Sequence, residues 1–441
     1  MKKLLFLGGS AQQVPAIEKA KQMGIKTILI DYLPDNPGQY VSDKWHPVST
    51  TDIEAVLRIA SQEKIDGILA FASDPAALPA ALVANRLGLP TNPPESVKIL
   101  GEKHKFRTFL KENHFFSPEN FTFSPDLPIS ELKDKIENNL SFPIIIKPTD
   151  SSGSKGVSIL NNCDVIEDSV KHASLYSRNQ ILIVEEYIHR GFPDVIGGDI
   201  FVENGIITLF GEMRCLRGDS GKSLIPIGEK KPNGLNEKQR DILYKELKRL
   251  ISLLHINTGE LNIEVIFDKN DNPYFLEVGP RAGGNMIPIQ LSDMYQVDLI
   301  EANILAALGE PVNLKPKDPH NAFMTFVLHS HKEGIFESVF FHPKVEKYIY
   351  RKVLYKKQGE KVEKFDGAGK ALGIVFMKFP DALTMNRVQS ELENLIIIKL
   401  ENNNSQQKFN TLITSILPPP QIRWIDSEFQ RNRYFKPTFA A

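Results

Sequence analysis

The sequence predicts an α/β and α+β protein, with a doubly wound parallel sheet at the N-terminus and a β-rich part at the C-terminus. Two patterns carry this prediction. Short apolar runs alternate with helical patterns at the start of the chain, whereas longer β-forming runs joined by Asn, Asp and Gly turns dominate afterwards. The chain has 441 residues, 41% apolar and 24% charged, so it is long enough for several cores.

The N-terminal part alternates strands with helices. The predicted strands are "KKLLFLGG", "IKTILIDY" and "IDGILAFAS", and the predicted helices between them are "QQVPAIEKAKQMG" and "TDIEAVLRIASQEK". Strands that alternate with helices indicate a parallel sheet covered on both faces. A cluster of prolines at Pro90, Pro93 and Pro94 ends the pattern, so we expect a first domain over residues 1–94.

A dinucleotide site in this domain is an alternative, because Asp31 ends the second strand where a ribose-binding acid would lie. However, "GGSAQQ" lacks the G-x-G-x-x-G spacing that a close approach of helix and pyrophosphate requires. The sequence therefore favours a βαβ scaffold that forms one wall of a cleft.

From Ser96 the pattern becomes α+β. One basic amphipathic helix is predicted for "SVKILGEKHKFRTFLKENH" and a long helix for "NEKQRDILYKELKRLISLLH". The predicted strands are "FTFSP", "FPIIIKP", "VSIL", "ILIVEEYI", a hairpin around Asn204-Gly205, and a pair within "GELNIEVIFDKNDNPYFLEVGPRAGG". We expect two subdomains here, over residues 95–180 and 181–315.

The C-terminal part is again rich in β-forming runs, namely "AFMTFVLHSHKEG", "YIYRKVLYKK" and "KALGIVFMKF". We expect a β-rich subdomain over residues 316–416 and a Pro-rich tail over residues 417–441.

Bulk properties exclude several classes of partner. The net charge of −1 argues against a nucleic-acid or anionic-membrane partner. The apolar start of the chain breaks at Gly8-Gly9, too early for a signal peptide, and no apolar run reaches the length that spans a bilayer. The two cysteines, Cys163 and Cys215, share no C-x-x-C spacing. We therefore expect a cytoplasmic protein without a disulfide framework or zinc knuckle.

Lys147 and the loop after it suggest an anion site. Lys147 closes the buried run "FPIII", where a lysine is costly unless it faces an anion. The loop "DSSGSKGV" then offers hydroxyls and flexible backbone N–H groups that could cradle phosphate oxygens. Its small residues are Ser151, Ser152, Gly153, Ser154 and Gly156. An edge lysine that extends to water is the alternative.

Paired acids follow in "VEEYI". Glu185 and Glu186 lie where an apolar strand becomes a connecting segment, whose backbone could bind an adenine edge. Asp194, a few residues further on, could accept hydrogen bonds from ribose hydroxyls. A solvated turn is the alternative for acids at a strand end.

Glu264 and Glu277 are the pair of acids that most specifically indicates a metal site. They lie on two strands joined by a tight turn, and each is flanked by apolar residues, so both face the side opposite to those residues. Neighbouring carboxylates that lose hydration become tolerable when a divalent cation lies between them. A site with only a few protein oxygen ligands suits Mg²⁺, because this ion completes its coordination with water and phosphate. Two outward-facing acids remain the alternative.

Arginines lie close to these acids in the sequence. Arg281 follows Glu277 by four residues and precedes Gly283-Gly284, where substrate could approach the backbone. Arg214 and Arg217 lie at the end of a predicted strand. All three are candidate anion contacts, although a surface position is an equal alternative for Arg217.

Together these stretches resemble the ATP-grasp superfamily over roughly residues 1–415. The matching stretches are "EKHKFRTFL" with Lys103, "IIIKP" with Lys147, "SSGSKGV", "VEEYI", "NIEVIF" and "FLEVGPRAGG". The resemblance implies a preATP-grasp domain, an ATP-grasp fold of two α+β subdomains that clamp ATP, and a β-rich C-terminal subdomain. The last is similar to that of the carboxylase-like and amino-acid-ligase branches.

The resemblance also implies roles in nucleotide binding. Lys103 and Lys147 would contact the α- and β-phosphates, and the glycine loop would close over them. Glu185 and Ile188 would bind the adenine through their backbones, next to Glu186. The ribose would be contacted by Asp194.

For the chemistry, the resemblance implies that Glu264 and Glu277 hold Mg²⁺ or Mn²⁺. Arg281, with Lys147 and Arg214, would stabilise the transferring phosphoryl group. The family pattern runs E-x-N-P-R, with the asparagine as a third metal ligand, but Gly279 occupies that place here. A glycine cannot coordinate through a side chain, so binding of a second metal is an open question.

The expected function is that of a carboxylate–amine ligase that uses ATP and acts through an acyl phosphate, with small-molecule substrates. Homodimers are common in this superfamily, so the resemblance makes a homodimer possible, although the sequence does not give the oligomeric state. A bicarbonate-activating carboxylase is the alternative, although "EVGPRAGGNM" lacks the glutamine and histidine of that branch. A nucleotide-binding module without chemistry is a third reading, against which the intact set of Lys147, Glu264, Glu277 and Arg281 argues.

Overall fold

The computed structural model describes residues 1–151, 153–193, 195–218, 225–401 and 423–426. The chain divides into two compact units. Among the described residues, the first comprises those within 1–229 and 233–318, and the second comprises 230–232 and those from residue 319 onward. One parallel sheet and several antiparallel sheets are present, so the predicted mixed fold class is confirmed.

The first unit begins with a parallel sheet flanked by helices. Its strands are β1 (Lys3–Leu7), β2 (Lys26–Ile30), β3 (Lys44–His46) and β4 (Gly67–Leu69), and its helices are α1 (Val14–Gln22), α2 (Ile53–Glu63) and α3 (Asp74–Leu87). The strand order is β3-β2-β1-β4, with every pair parallel. The three predicted strands are confirmed, while β3 is short and lacks an apolar run that could have predicted it.

Asp31 has a structural role in this sheet. Its carboxylate accepts hydrogen bonds from the backbone N–H of Gly9 at 2.8 Å and of Leu33 at 2.9 Å. The acid therefore stabilises the glycine turn after β1, in agreement with the scaffold interpretation of this domain.

An antiparallel sheet follows. The elements are α4 (Pro94–Gly101), α5 (Lys103–Glu112), β5 (Asn120–Phe123), α6 (Ile129–Asn139), β6 (Ile144–Pro148), β7 (Ser158–Leu160), α7 (Ile166–Ser174) and β8 (Leu182–Glu186), with strand order β5-β8-β6-β7. The single helix predicted from residue 96 is wrong, because Glu102 is extended and separates α4 from α5. This break lets the Lys103 N–H donate to Thr149 O at 2.9 Å, so α5 begins against the segment that follows β6.

A second antiparallel sheet completes the first unit. Its elements are β9 (Ile196–Glu203), β10 (Ile206–Arg217), β11 (Pro226–Lys231), α8 (Glu237–Leu253), β12 (Gly259–Phe267), β13 (Pro273–Gly279), α9 (Ile287–Tyr295) and α10 (Leu299–Ala307). The strands follow the order β13-β12-β9-β10-β11. The predicted hairpin at Asn204-Gly205 is confirmed, with positive φ at both residues.

Alternation along β12 separates a core face from a polar face. Leu261, Ile263 and Val265 pack with Leu243 and other apolar residues of α8 in one buried cluster. The residues between them therefore project from the opposite face of the sheet, which leaves that face available for polar chemistry.

The second unit is β-rich, as predicted. It contains β14 (Ala322–Leu328), β15 (Gly334–Phe341), α11 (Pro343–Glu346), β16 (Ile349–Leu354), β17 (Lys361–Val362), β18 (Gly373–Phe379), α12 (Ala382–Gln389), α13 (Leu392–Leu395), β19 (Ile396–Glu401) and β20 (Arg423–Asp426). Strands β14, β18, β16 and β20 are adjacent in that order, and β17, β15 and β19 form a separate sheet.

The exact domain boundaries stay predictions. Residues 402–416 of the predicted C-terminal subdomain lie outside the described residues, as does the predicted tail apart from 423–426. Among the helices that the structure describes, none has both the length and the apolar character needed to cross a bilayer.

Gly198, in the middle of β9, tests how tightly the second sheet is packed. Its φ is +105°, and a Cβ there would lie 2.2 Å from the carbonyl oxygen of Gly211. We expect Gly198→Ala to lower the free energy of unfolding by about 3 kcal/mol, because strain and backbone displacement add. The urea midpoint, followed by circular dichroism, measures the effect.

Gly24→Ala is the matched control. Gly24 also has a positive φ, +74°, but no atom lies within 4 Å of the added Cβ. Strain alone should cost about 1 kcal/mol there. Equal midpoint shifts in the two variants would contradict the close contact assigned to Gly198.

Candidate active site

A cleft in the first unit brings together most of the side chains that the sequence predicts for nucleotide binding. Strands β6 and β8 and the described residues of the loop after β6 form one wall, and β12 and β13 form the other. The predicted site residues among its lining are Lys103, Lys147, Gly153, Ser154, Glu185, Glu186, Ile188, Glu264 and Glu277. Two other predicted residues, Ser152 and Asp194, lie outside the described residues.

Lys147 is buried and pairs with a carboxylate. It lies at the end of β6, with 8% of its surface exposed, and its Nζ donates to Oε1 of Glu185 on the adjacent strand β8. Burial lowers the pKa of Lys147 to about 8, and the charge of Arg107 adds to this effect while Glu185 opposes it. The lysine therefore loses its charge as the pH rises through about 8, below the range of an ordinary lysine.

Arg107 is the third member of this network. Its side chain is fully buried, and its Nε donates to Oε2 of Glu185 at 2.9 Å. The remaining guanidinium nitrogens donate to the carbonyls of Phe275 at 3.2 Å and Leu276 at 3.1 Å. Burial alone would raise the pKa of Glu185, but Arg107 and Lys147 lower it to about 2. Arg107 therefore joins α5, β8 and the strand that carries Glu277.

The loop after β6 has the backbone conformation expected of a glycine-rich phosphate loop. Gly153, Ser154 and Gly156 all have positive φ, at +66°, +60° and +74°. Lys103 reaches this loop from the first turn of α5, where its Nζ donates to Ser151 O at 2.6 Å. The predicted partners of the phosphates thus come from two elements that converge on the same end of the cleft.

The end of β8 and the residue after it are fixed by hydrogen bonds to neighbouring segments. The Glu186 N–H donates to Glu119 O at 3.0 Å, and the Tyr187 N–H donates to Pro143 O at 2.9 Å. The Glu186 carboxylate accepts from the Ser141 N–H at 2.7 Å. These bonds assign Glu186 a structural partner, so its side chain is a poor candidate for nucleotide contact.

Glu264 and Glu277 face each other directly. They are register partners on β12 and β13, and both carboxylates line the cleft. Each has a cation beside it: Nη2 of Arg217 lies 3.2 Å from Glu264 Oε2, and Nζ of Lys103 lies 3.5 Å from Glu277 Oε2. Two opposed carboxylates fit one Mg²⁺ that takes its other ligands from water and phosphate.

The structure assigns different faces of β10 to Arg214 and Arg217. Arg217 lines the cleft, whereas Arg214, three residues earlier, stacks over the Phe192 ring with its Cζ 4.8 Å from the centroid. Glu212, on the same face as Arg214, pairs with Arg240 of α8 at 2.8 Å. This placement does not support a catalytic role for Arg214, and Arg217 is the better candidate because strand alternation directs it toward Glu264.

Arg281 is held by the N-terminal domain. Its Nε and Nη2 both lie 2.6 Å from Oδ1 of Asp74, in the first turn of α3. Burial disfavours the guanidinium charge, but Asp74 more than compensates and raises the pKa of Arg281 above its ordinary value. Arg281 is absent from the lining of this cleft and lines a separate cavity with Glu260 and Asn303.

A buried pair of acids fixes the loop that follows Arg281. Asp199 accepts hydrogen bonds from Asn262 Nδ2 and from the Gly283 N–H, each at 2.8 Å. Burial raises the pKa of Glu260 well above its ordinary value, and the nearby Asp199 adds to the shift. A side chain at Gly283 would clash, with its Cβ 2.6 Å from Asp199 Oδ1.

Two family models match the chain. The ATP-grasp N-terminal domain matches residues 17–91, and the ATP binding domain of the carbamoyl-phosphate synthase L chain matches residues 124–314. The second match covers the cleft walls from β6 to β13.

Individual proteins are similar over much of the chain. The carbamoyl phosphate synthase large chain of Thermoanaerobacter sp. (strain X514) is 26% identical over 309 residues, which are 67% of this chain. The L-amino acid ligase of Bacillus licheniformis has a TM-score of 0.75 at 20% identity, with 91% of this chain and 99% of that chain covered. The biotin carboxylase domain of Hydrogenobacter thermophilus 2-oxoglutarate carboxylase, solved with MgADP and bicarbonate, has a TM-score of 0.70 at 16% identity, with 90% of each chain covered.

These similarities establish the fold but leave the reaction open. The chain spans only 27% of the length of the carbamoyl phosphate synthase large chain that it matches. The solved structures named above are at most 20% identical, so their reactions cannot be transferred directly.

Sequence reasoning missed Arg107 and Asp74. A signal existed for Arg107, because it lies between Phe106 and Leu110 on the apolar side of an amphipathic helix, where a charge needs a partner. Asp74 follows a β-strand of a parallel sheet, at the edge where ligand sites form. Nothing in the sequence indicated that its partner is a residue more than 200 positions away.

Arg107→Met tests the buried network. Removal of one partner of a buried ion pair leaves Glu185 with Lys147 alone, so we expect the free energy of unfolding to fall by about 3–5 kcal/mol. Arg107→Lys keeps the charge but cannot form the two-pronged contact, and should recover only part of the loss. Urea unfolding followed by circular dichroism measures both.

Arg86→Met is the control for this prediction. Arg86 forms an exposed ion pair with Glu54, and loss of such a pair should cost at most about 1 kcal/mol. If Arg107→Met destabilised the protein no more than Arg86→Met, the network would not contribute as assigned.

Proposed function

Because this chain belongs to the ATP-grasp superfamily, we propose that it is an ATP-dependent carboxylate–amine ligase. The reaction forms an amide or peptide bond through an acyl phosphate and releases ADP and phosphate. The observation that carries the proposal is the direct opposition of Glu264 and Glu277 in a cleft that also contains Lys103 and Lys147. Opposed acids on one wall and lysines nearby are the requirements of a site for a metal–triphosphate complex.

ATP binds between the two walls in this proposal. Lys103 and Lys147 meet the phosphates, and the loop with Gly153 and Ser154 closes over them. The backbones of Glu185 and Ile188 remain the proposed adenine contacts. In the free protein these two lysines neutralise carboxylates, since Lys147 pairs with Glu185 and Lys103 with Glu277. When ATP binds, each lysine would turn from its glutamate to a phosphate.

A divalent ion held by Glu264 and Glu277 would neutralise charge on the β- and γ-phosphates. The protein then aligns the γ-phosphoryl group with the substrate carboxylate, whose oxygen attacks phosphorus while the bond to ADP breaks. Arg217 lines the cleft beside Glu264 and would meet the charge that develops, and Arg281 stays the predicted contact of the transferring phosphoryl group. The closed loop excludes water, which would otherwise hydrolyse the acyl phosphate.

The amine completes the reaction. Its nitrogen attacks the carbonyl carbon of the acyl phosphate, the carbon–oxygen bond to phosphate breaks, and the amine loses a proton. No covalent enzyme intermediate is needed in this scheme.

Activation of bicarbonate is the second candidate function. The match to the ATP binding domain of the carbamoyl-phosphate synthase L chain over residues 124–314 favours it. The two candidates differ in one measurement, because a bicarbonate-activating enzyme hydrolyses ATP when bicarbonate is the only acid present. A carboxylate–amine ligase requires an organic acid and an amine together. The identity of that pair and homodimer formation stay predictions.

Lys147→Ala and Glu277→Ala test the assignment. We expect both to reduce ADP release by at least about 100-fold, because each removes a charge that meets the triphosphate or its metal. ADP release is measured over a panel of acid–amine pairs, with mass spectrometry of the products. Lys171→Ala, an exposed lysine paired with Glu167, is the control and should keep full turnover. Wild-type turnover in either test variant would refute the assigned role.

Nucleotide affinity should depend on pH through Lys147. Its pKa of about 8 in the free protein means that the ammonium form, which attracts phosphate, is lost as the pH rises through 8. Binding of Mg·ADP should therefore weaken above about pH 8 and be accompanied by proton uptake there. Calorimetry in two buffers of different ionisation enthalpy measures both quantities. Lys147→Met should bind more weakly and lose this pH dependence, and an unchanged profile would contradict the assignment.

A further inference from the structure

We propose that the site binds a single divalent ion with the nucleotide, and that Arg281 occupies the position from which β13 would supply a third metal ligand. This inference rests on the proposed nucleotide site and adds the number of ions and the reason for it. The reason is a glycine, Gly279, whose missing side chain leaves room for the guanidinium group.

The register of β12 and β13 defines where a further ligand could come from. Glu264 is opposite Glu277, and the next pair on the same face is Asn262 opposite Gly279. A donor at position 279 would lie two residues from Glu277 on the same face of the sheet. Glycine offers no donor atom there.

Arg281 fills this space. A Cβ built on Gly279 would lie 3.1 Å from Cζ of Arg281 and 3.3 Å from each of its terminal nitrogens. The φ of Gly279 is not positive, so the backbone there does not itself require glycine. A Cβ at this position would crowd the guanidinium, which would have to shift by a few tenths of an ångström, and Asp74 holds the guanidinium through two contacts of 2.6 Å.

The other residue of this row is already engaged. Nδ2 of Asn262 donates to Asp199 Oδ1 at 2.8 Å and to Gly198 O at 3.0 Å, which orients the amide toward β9. Within the described part of the chain, no group of three or more His, Cys, Asp or Glu side chains could hold a metal ion. The ligands available from the strands are therefore the two opposed carboxylates.

The positive charge of Arg281 also argues for a single bound ion. The Arg281 guanidinium lies close enough to Glu277 to interact with its charge. A second dication next to this group would meet repulsion without gaining a carboxylate. The protein thus supplies, with Arg281, a fixed positive charge where a second ion would otherwise be needed.

Counting bound ions tests the inference independently of catalysis. The full-length protein is titrated with Mn²⁺ in the presence of a saturating non-hydrolysable ATP analogue. Electron paramagnetic resonance measures the number of Mn²⁺ ions bound per chain. We expect one ion per wild-type chain. Gly279→Asn should displace Arg281 and add an amide oxygen, and thereby raise the number to two.

Gly279→Ala is the matched variant, because its Cβ crowds Arg281 without adding a donor, and one ion should remain. Two ions of similar affinity in the wild type would overturn the inference while leaving the nucleotide site intact. Two ions in Gly279→Ala would also overturn it, since displacement alone would then suffice. Absence of nucleotide-dependent Mn²⁺ binding would overturn both this inference and the proposed function.

Discussion

The opposition of Glu264 and Glu277 on neighbouring strands is the constraint on which the cleft depends. Two carboxylates in register repel each other, and the sheet tolerates them only with positive charge nearby. Arg217 and Lys103 supply this charge from β10 and α5. In the proposed function, a metal–nucleotide complex would bind by exchange, because the ion would replace the cations at the acids and the phosphates would receive those cations.

The opposite wall follows the same principle. Glu185 lies between Lys147 and Arg107, so the lysine that faces the cleft has a counter-charge before any phosphate arrives. Arg107 differs from Lys147 because it is fully buried and also binds two carbonyls of β13. It thereby sets the position of both walls relative to each other, which is a structural task that a lysine could not perform.

The N-terminal domain contributes to the site through a few specific contacts. Asp74 orients Arg281, and Gln12 accepts a hydrogen bond at 2.7 Å from the N–H of Asn285 in the loop that follows. Both contacts come from segments that follow strands of the parallel sheet. The scaffold interpretation of this domain is thus sufficient to explain its role, and Asp31 needs no nucleotide to account for it.

The sequence by itself determined the order of the elements, the mixed fold class and the acids and lysines of the cleft, because strand alternation and glycine turns are local properties of the chain. It could not determine which face of β10 points into the cleft, since that depends on packing against α8. Nor could it place Arg107 or Asp74 in the site, or show that Arg281 lies over Gly279. These facts concern charges that meet across distant segments, and only the tertiary structure decides which buried charge finds which partner.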